Sequence, residues 1–402
     1  MIGVAKEHAR RFLLLRHGLL GPKRYEGKSG ALEYIRSVGS IQYDPVDVCG
    51  KNAEIILHSR VRGFTRAALD ELLYRDRLLI DFFDKCLCIF PVEDWPLVTH
   101  GSKGGGYAAA FDNMGGEAAR QIAPRIREYI KERGHISSKE VETNGVAWSW
   151  DWALSRAALE SMWFRRELVI HHKKGAVKSY ALAEDYIPAE FLRAASPFAD
   201  EGERLRWLIK RRIGAVGMLW NRSSDAWIGL KGDQLTAGAR LAFLKSMAEA
   251  GEIFEVRVDG IRDQFYIREP DRPILETAMS GEQFEGRAEF IAPLDCLFWD
   301  RKLIEAVFGF SYRWEIYTVR EKRKFGAYTL PFLRGESFAG RADIERKNGA
   351  LIVRNFWPED GVVMTDGLRE DFAECAERFA EFNGCGMVEN YTLSRGWNPE
   401  PA

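Results

Sequence analysis

The sequence predicts an α+β chain in which a helix-plus-hairpin unit occurs two to three times, ahead of a small antiparallel β region and a terminal helix. Three observations carry this expectation. A stretch of sequence recurs without gaps 85 residues further on; apolar residues switch between helical and alternating spacing through the middle of the chain; and the last third breaks into short β-rich runs.

The recurring stretch is ALESMWFRRELVIHHKKGAVKSYAL at 158–182 and FLKSMAEAGEIFEVRVDGIRDQFYI at 243–267. Leu159 meets Leu244, Ser161-Met162 meets Ser246-Met247, Glu167-Leu168 meets Glu252-Ile253, Gly175 meets Gly260, and Leu182 meets Ile267. In each copy, apolar residues at helical spacing lead into alternation. A Lys174-Gly175 or Asp259-Gly260 pair then breaks the run before a second extended stretch. Helix followed by a two-stranded wing is the closing half of a winged helix; the alternative is a common packing unit with no nucleic acid involved. The opening halves are present too. RLRWLIKRRIGAVGMLW (204–220) reads as a basic amphipathic helix, and LTAGARLAFLKSMAEAGEI (235–253) as the helix before its wing. IAPRIREYIKERGHISSKEV (122–141) reads as a helix stopped at Gly134, with Ser137-Ser138 capping a new one.

Further on, YRWEIYTV, FGAYTLPFL, SFAGRADIER and ALIVRNFW are β-rich runs separated by charged or glycine turns, which suggests a small antiparallel sheet or barrel. GLREDFAECAERFAEFNG (367–384) reads as an acidic amphipathic helix ending at Gly384, and MSGEQFEG (279–286) as a linker. The expected division is 1–118, an N-terminal winged-helix-like domain; 119–197 and 198–278, a second and third winged helix; 285–360, the β-barrel; and 361–402, the acidic helix and tail.

At 402 residues, 46% hydrophobic and 29% charged, the chain is a globular protein of several domains rather than a disordered one. No apolar run is long enough to cross a bilayer, and the N-terminus shows no signal-peptide cleavage site. Six scattered cysteines without a CxxC pair fit reduced thiols in the cytoplasm. The net charge of −1 is unevenly spread: residues 204–222 carry six Lys/Arg and no acid, whereas beyond residue 358 ten acids face three Arg. Basic blocks of this kind are either a polyanion-binding face or ordinary solvated helix surface.

Phosphate-loop, HExxH and GxSxG motifs are absent, as is a paired Cys/His cluster, so neither metal nor nucleophilic Ser/Cys chemistry is expected. His171-His172 falls in a wing and reads as a phosphate contact or a solvated pair rather than a metal ligand; Gly104, Gly105 and Gly106 read as a loop. The informative stretch is SIQYDPVDVCGKN at 40–52. Proline pushes the residue before it into extended backbone, and residues two apart in an extended segment share a face. Gln42 and Asp44 then project together. A carboxylate beside an amide can stabilise a positive sugar centre and orient a water, as hydrolysis of an N-glycosidic bond requires. The alternative is that Asp44 shapes the turn at Asp-Pro.

The order of several segments decides between these readings. Gln42-Tyr43-Asp44, LHSRV (57–61), CIFPVEDWP (88–96), WSWDWALSRAALE (148–160), APLDCLFWDRKLIEAVFGFSYRWEIY (292–317) and KRKFGAYTLPFLRG (322–335) together resemble the AlkZ/YcaQ family of bacterial DNA glycosylases, in its AlkX-like branch. The likeness runs over nearly the whole chain. It implies tandem winged helices and a C-terminal β-barrel around a basic DNA channel, and a monofunctional glycosylase without metal or other cofactor. Excision of alkylated bases and unhooking of interstrand crosslinks are the implied activities, with Gln42 and Asp44 as catalytic residues and double-stranded DNA as the partner; several winged helices in one chain need no dimer, so a monomer is expected. The chain departs from the family pattern at aromatic Tyr43 and in CGKNAEIIL (49–57), where Lys51, Ala53 and Glu54 replace an expected Arg and His pair. Residues placed for DNA contact are Lys51, Arg60, His171, His172, Lys173, Lys210, Arg211, Arg212, Lys322, Arg323, Lys324 and Phe325; REKRKFGAY (320–328) is the expected groove-probing element. The competing function is a non-enzymatic winged-helix DNA-binding regulator, which would have no use for a Gln-x-Asp pair beside Pro45.

Overall fold

Both copies of the recurring stretch fold through the same series of turns. In the computed structural model the first is the helix Trp152–Phe164 with strands Leu168–Lys174 and Val177–Leu182; the second is the helix Ala237–Glu249 with strands Ile253–Val258 and Gln264–Arg268. Each helix closes with a backbone N–H reaching five residues back, Glu167 to Met162 O and Glu252 to Met247 O, both at 3.0 Å. The residue before that donor is left-handed in both, Gly251 at φ 72° and Arg166 at φ 67°. Glycine suits that backbone and arginine tolerates it with strain.

One difference separates the copies. The second hairpin pairs Ile253 with Arg268 through to Arg257 with Gln264 unbroken, whereas the first pairs Ile170 with Tyr180 and then His172 with Ser179. His171 is therefore an extra residue, a β-bulge, and beyond it the two registers correspond.

The structure describes residues 1–99, 120–143, 152–230 and 235–390. Gly104, Gly105 and Gly106, and the first residues of the Trp-rich segment, lie outside the described residues. Two compact units result: a smaller one, Asp70–Arg204, and a larger one of Met1–Leu69 with Leu205–Ala402. No helix among the described residues is long and apolar enough to cross a membrane, and all six cysteines are free thiols.

In the smaller unit a helix over 120–133 stops at Gly134, φ 87°, and Glu140 caps the next by accepting the Ser137 N–H at 2.6 Å. A three-stranded sheet runs Ile136–Ser137, Val177–Leu182, Leu168–Lys174, beside the hairpin Leu79–Phe83 and Leu87–Pro91. Phe82, Trp95, Trp163 and Phe164 fill the core with ring centroids about 5–6 Å apart. Asp81 at the hairpin's centre is 2% exposed and takes the Lys173 ammonium as its partner.

The larger unit holds a four-stranded sheet ordered Ile2–Val4, Ile253–Val258, Gln264–Arg268, Met218–Trp220. It also holds a five-stranded sheet ordered Ala288–Phe290, Thr329–Arg334, Ser337–Lys347, Ala350–Pro358, Met387–Asn390. The expected barrel is this five-stranded sheet, curled by register shifts at Phe332/Leu333 and Asp343/Ile344 and flanked by the helix Asp366–Phe382. One run expected to be a strand is not: 312–319 is irregular, because Glu315 turns inward to accept the N–H groups of Lys324 and Phe325.

A buried polar cluster ties the larger unit's distant segments together. Arg16, at the end of the first helix, pairs with Asp271 at 3.0 Å and donates to Ser37 O and Gly214 O. His17 lies against Val216 O at 2.9 Å; burial, with Arg60 and Arg16 nearby, holds its imidazole well below the usual range and therefore neutral. Arg60 donates to His17 O, Ile56 O, Ser59 Oγ and, at 2.8 Å, Asp295 Oδ1. Both side chains of that last pair are 0% exposed. Removing one partner of a buried pair leaves an uncompensated charge and costs about 3–5 kcal/mol. Asp295→Ala should therefore destabilise the larger unit by that amount, read as a lower urea midpoint, while Arg62→Ala, at an exposed pair with Glu26, should shift it by less than about 1 kcal/mol.

Candidate active site

The helix Gly27–Val38 ends at Gly39, φ 81°, and the strand Ile41–Gln42 follows at once. Its floor comes from the far end of the chain. The Cys296 thiol donates to Ser40 O at 3.3 Å, and Asn52 is a bridge. Asn52 Nδ2 donates to Gln42 O at 2.8 Å, and its Oδ1 accepts the Leu294 N–H at 2.9 Å. Asn52 is 2% exposed, so the residues 292–296 and the Gln-x-Asp segment are fixed to one another through a single buried amide.

Asp44 sits past the strand's end, half-buried, with Pro45 exposed beside it. Its Oδ1 accepts the Val46 N–H at 2.9 Å, so the turn-shaping reading of Asp44 is realised in the structure. The carboxylate also accepts from the Tyr317 hydroxyl. Burial pushes Asp44 above the usual carboxylate range, while the Val46 N–H and the Tyr317 hydroxyl pull the other way. A carboxylate has about four acceptor sites, so two donors leave room for a water or a sugar.

Tyr317 is 78% exposed, yet its ring is steadied from behind. It lies edge-on to Trp314 at 5.6 Å, Trp314 lies edge-on to Tyr328 at 5.9 Å, and the Tyr328 hydroxyl donates to Gly50 O at 3.1 Å. The basic turn begins directly after Tyr317. Glu315 accepts the Lys324 N–H and the Phe325 N–H, both at 2.9 Å, and Arg323 Nε donates to Thr318 O at 2.8 Å. Lys322 and Lys324 point outward as exposed residues on a pinned loop, and Phe325 packs against Trp357 and beneath Arg341.

The other residues placed for DNA contact divide sharply, and several are corrected. Arg60 is spent on Asp295 in the interior. Lys173 is 6% exposed and held by Asp81. Arg212 is 1% exposed beneath Trp299. Lys210 pairs with Glu252, and Arg211 donates to Gly39 O at 2.9 Å while lying over Trp207. Lys51, just before the helix Asn52–His58, donates its backbone N–H to Glu54 at 3.1 Å and pairs its ammonium with the same carboxylate at 3.2 Å. A basic stretch in the sequence is thus largely internal wiring. His171 and His172 are half-buried and touch, Nδ1 to Nδ1, at 2.7 Å, and His135 stacks on His171 at 4.6 Å. The expectation of no clustered metal-ligating residues is corrected here, because His135 lies 36 residues away in sequence.

A cavity of the larger unit, about 890 Å³, is lined by Lys23, His58, Arg66, Arg287 and Phe382 and does not include Gln42 or Asp44. The His58 ring stacks on Phe382 at 4.4 Å, and burial lowers it to about 3. Asp44 is half-buried and lies outside that cavity.

A family model described as DNA glycosylase AlkZ-like matches residues 35–382. The chain belongs to the AlkZ-like DNA glycosylase family. The matched span contains Gln42, Asp44, Asn52, Asp295 and Tyr317. Among solved structures the chain is similar to the Streptomyces sahachiroi DNA glycosylase AlkZ, at 14% identity and a TM-score of 0.64, over 97% of this chain and 99% of that one. At that identity the likeness concerns the fold. Family membership sets aside the non-enzymatic regulator: this glycosylase is an enzyme that acts on DNA.

The sequence singles out Gln42 and Asp44 as candidates but not the residues that contact them. Tyr317 lay at the end of a quoted signature, APLDC…WEIY, yet only the folded chain shows what it reaches. Asn52→Leu in this glycosylase should leave the Gln42 carbonyl and the Leu294 N–H unpaired, at about 1–3 kcal/mol for each group. A lower urea midpoint, together with slower base release at a temperature where the variant is folded, is the expected outcome.

Proposed function

We propose that this glycosylase removes N7-alkylated purines, and unhooks crosslinks made through such bases, by hydrolysis at Asp44. The observation that carries the reading is the anchored, open-faced carboxylate: Asp44 is held by the Val46 N–H and the Tyr317 hydroxyl, two residues from Gln42, beside a pinned basic loop. N7-alkylation makes the purine a cation. The bond from C1′ to the base nitrogen breaks with its electron pair going to the base, which leaves neutral and needs no general acid. The sugar becomes oxocarbenium-like, and ionised Asp44 stabilises it. Water then adds at C1′, oriented by Asp44 and the Gln42 amide, and its proton passes to the carboxylate or to solvent.

Lys322 and Lys324, exposed on the loop that Glu315 pins, supply phosphate contacts that position the duplex without reading sequence. The helix-and-hairpin units act as winged helices along the same DNA, and the protein works as a cytoplasmic monomer. Presentation of the damaged base requires flipping or distortion of the duplex.

Two measurements test this. With DNA containing N7-methylguanine, Asp44→Asn and Gln42→Ala should lower the single-turnover rate of base release by about 100-fold or more, the scale on which one preorganised electrostatic group acts. Equal rates in folded variants would remove these residues from the chemistry. The second is a pH profile. Asp44 works as the anion, so the rate should fall as pH drops through a pKa that burial has raised. The Tyr317 hydroxyl favours that anion, so Tyr317→Phe should shift the acid limb to higher pH and lower the plateau rate by less than Asp44→Asn does.

A further inference from the structure

We propose that His135, His171 and His172 form a binding site for one divalent transition-metal ion of the zinc type, within the smaller unit and separate from the glycosylase chemistry. One ring nitrogen from each lies within 4.8 Å of those of the other two. A tetrahedral zinc site with bonds of about 2.0–2.1 Å sets its nitrogens about 3.4 Å apart, so small ring rotations bring the three into range. Three imidazoles are the ligand set that zinc, copper and nickel prefer over magnesium or calcium.

Adjacent residues on a regular strand point to opposite faces, so neighbouring histidines do not normally converge. Here the bulge at His171 breaks the alternation, and the two Nδ1 atoms come to 2.7 Å. The corresponding hairpin of the second repeat has no such bulge and places Val256 and Arg257 at the matching positions. The irregularity is therefore particular to the copy that carries the histidines.

The bulge is held open by a dedicated side chain. Arg77 donates to Ile170 O at 3.0 Å and to His171 O at 3.1 Å, satisfying carbonyls beside the extra residue. Its own backbone is left-handed at φ 55°, an uncommon conformation for arginine. Its guanidinium lies over the Tyr186 ring at 4.3 Å, and Tyr186 in turn lies edge-on to His171 at 5.4 Å.

A second observation points to a ligand. The buried His135 Nδ1 makes no hydrogen bond in the structure, and its ring stacks on His171 at 4.6 Å and meets His172 edge-on at 5.0 Å. An orphaned imidazole nitrogen beside two others is a lone pair for an ion. The charged groups facing the cluster are Arg77, which opposes a cation but has N–H groups turned to the backbone carbonyls, and Glu140, which favours one beside His172. Water completes the fourth position. The ion would fasten the bulged strand to the chain entering the Ile136–Ser137 strand, a structural role.

The test uses the full-length protein freed of any affinity-tag histidines and stripped with chelator. Titration calorimetry with ZnCl2 should show one equivalent bound. His135→Ala, His171→Ala and His172→Gln should each weaken binding about tenfold or more. Zn2+ should also raise the thermal midpoint of the wild type and not of the variants, whose midpoints in chelator report that they are folded. Co2+ substitution should give a visible ligand-field band without a thiolate charge-transfer band. Absence of binding, or equal binding by the folded variants, overturns the proposal. So does a thiolate band, which would place the ion on Cys86 and Cys88, whose sulfurs are 4.0 Å apart.

Discussion

The buried pair between Arg60 and Asp295 is the constraint on which the larger unit depends. Two fully buried charges are costly to desolvate, and they persist because nearly every donor on Arg60 has an acceptor: His17 O, Ile56 O, Ser59 Oγ and Asp295 Oδ1. The pair joins residues 235 positions apart. An apolar replacement of similar volume could be equally stable, but it would not impose one alignment between the segments around 17, 60 and 295. Arg16 makes the same kind of junction, with Ser37, Gly214 and Asp271. Directional contacts of this sort act as registers.

The site inherits its precision from that register. Two residues before Cys296 on the same segment, Leu294 donates to Asn52, and Asn52 donates to the carbonyl of Gln42. A further stretch of the chain carries Trp314, Glu315 and Tyr317 to Asp44. A half-buried carboxylate without donors around it can still rotate. Here the Val46 N–H and the Tyr317 hydroxyl hold it, and the Trp314–Tyr328 ladder holds the tyrosine. The electrostatic role proposed for Asp44 depends on such preorganisation.

What could be read from sequence follows the range of the interactions involved. The repeat was legible because its determinants are local: helical spacing, a left-handed helix end, then Gly175 or Gly260 at the turn. The acidic helix was legible for the same reason, with Thr365 capping it and Gly384 beyond its end. The strand expected over 312–319 failed because Glu315 diverts the chain through contacts with Lys324 and Phe325 that no local pattern announces. The Gln-x-Asp pair was visible as a motif, whereas Asn52, Asp295 and Tyr317 owe their roles to partners up to 273 positions away in the chain. His135 stayed invisible because convergence with His171 and His172 needs both tertiary proximity and a bulge, which is a difference of register rather than composition.

Charge shows most plainly why composition misleads. The stretch 204–222 carries six basic residues and no acid, the strongest basic block in the sequence. In the folded chain Arg206 and Lys210 neutralise Glu252, Arg211 closes on the Gly39 carbonyl, Arg212 is buried against Trp299, and Arg222 pairs with Asp263. These cations are spent on internal partners, and a cation already paired releases few counterions when DNA arrives. The loop over 320–324 is the opposite case. Glu315, the buried acid that faces this loop, is occupied by backbone N–H groups, and the side chains of Lys322 and Lys324 are exposed on either side of Arg323, with Glu321 exposed before them. Which cations the fold pairs internally, rather than how many the sequence carries, therefore sets the charge this glycosylase presents, and Lys322 and Lys324 follow Tyr317, the donor to Asp44, in the chain.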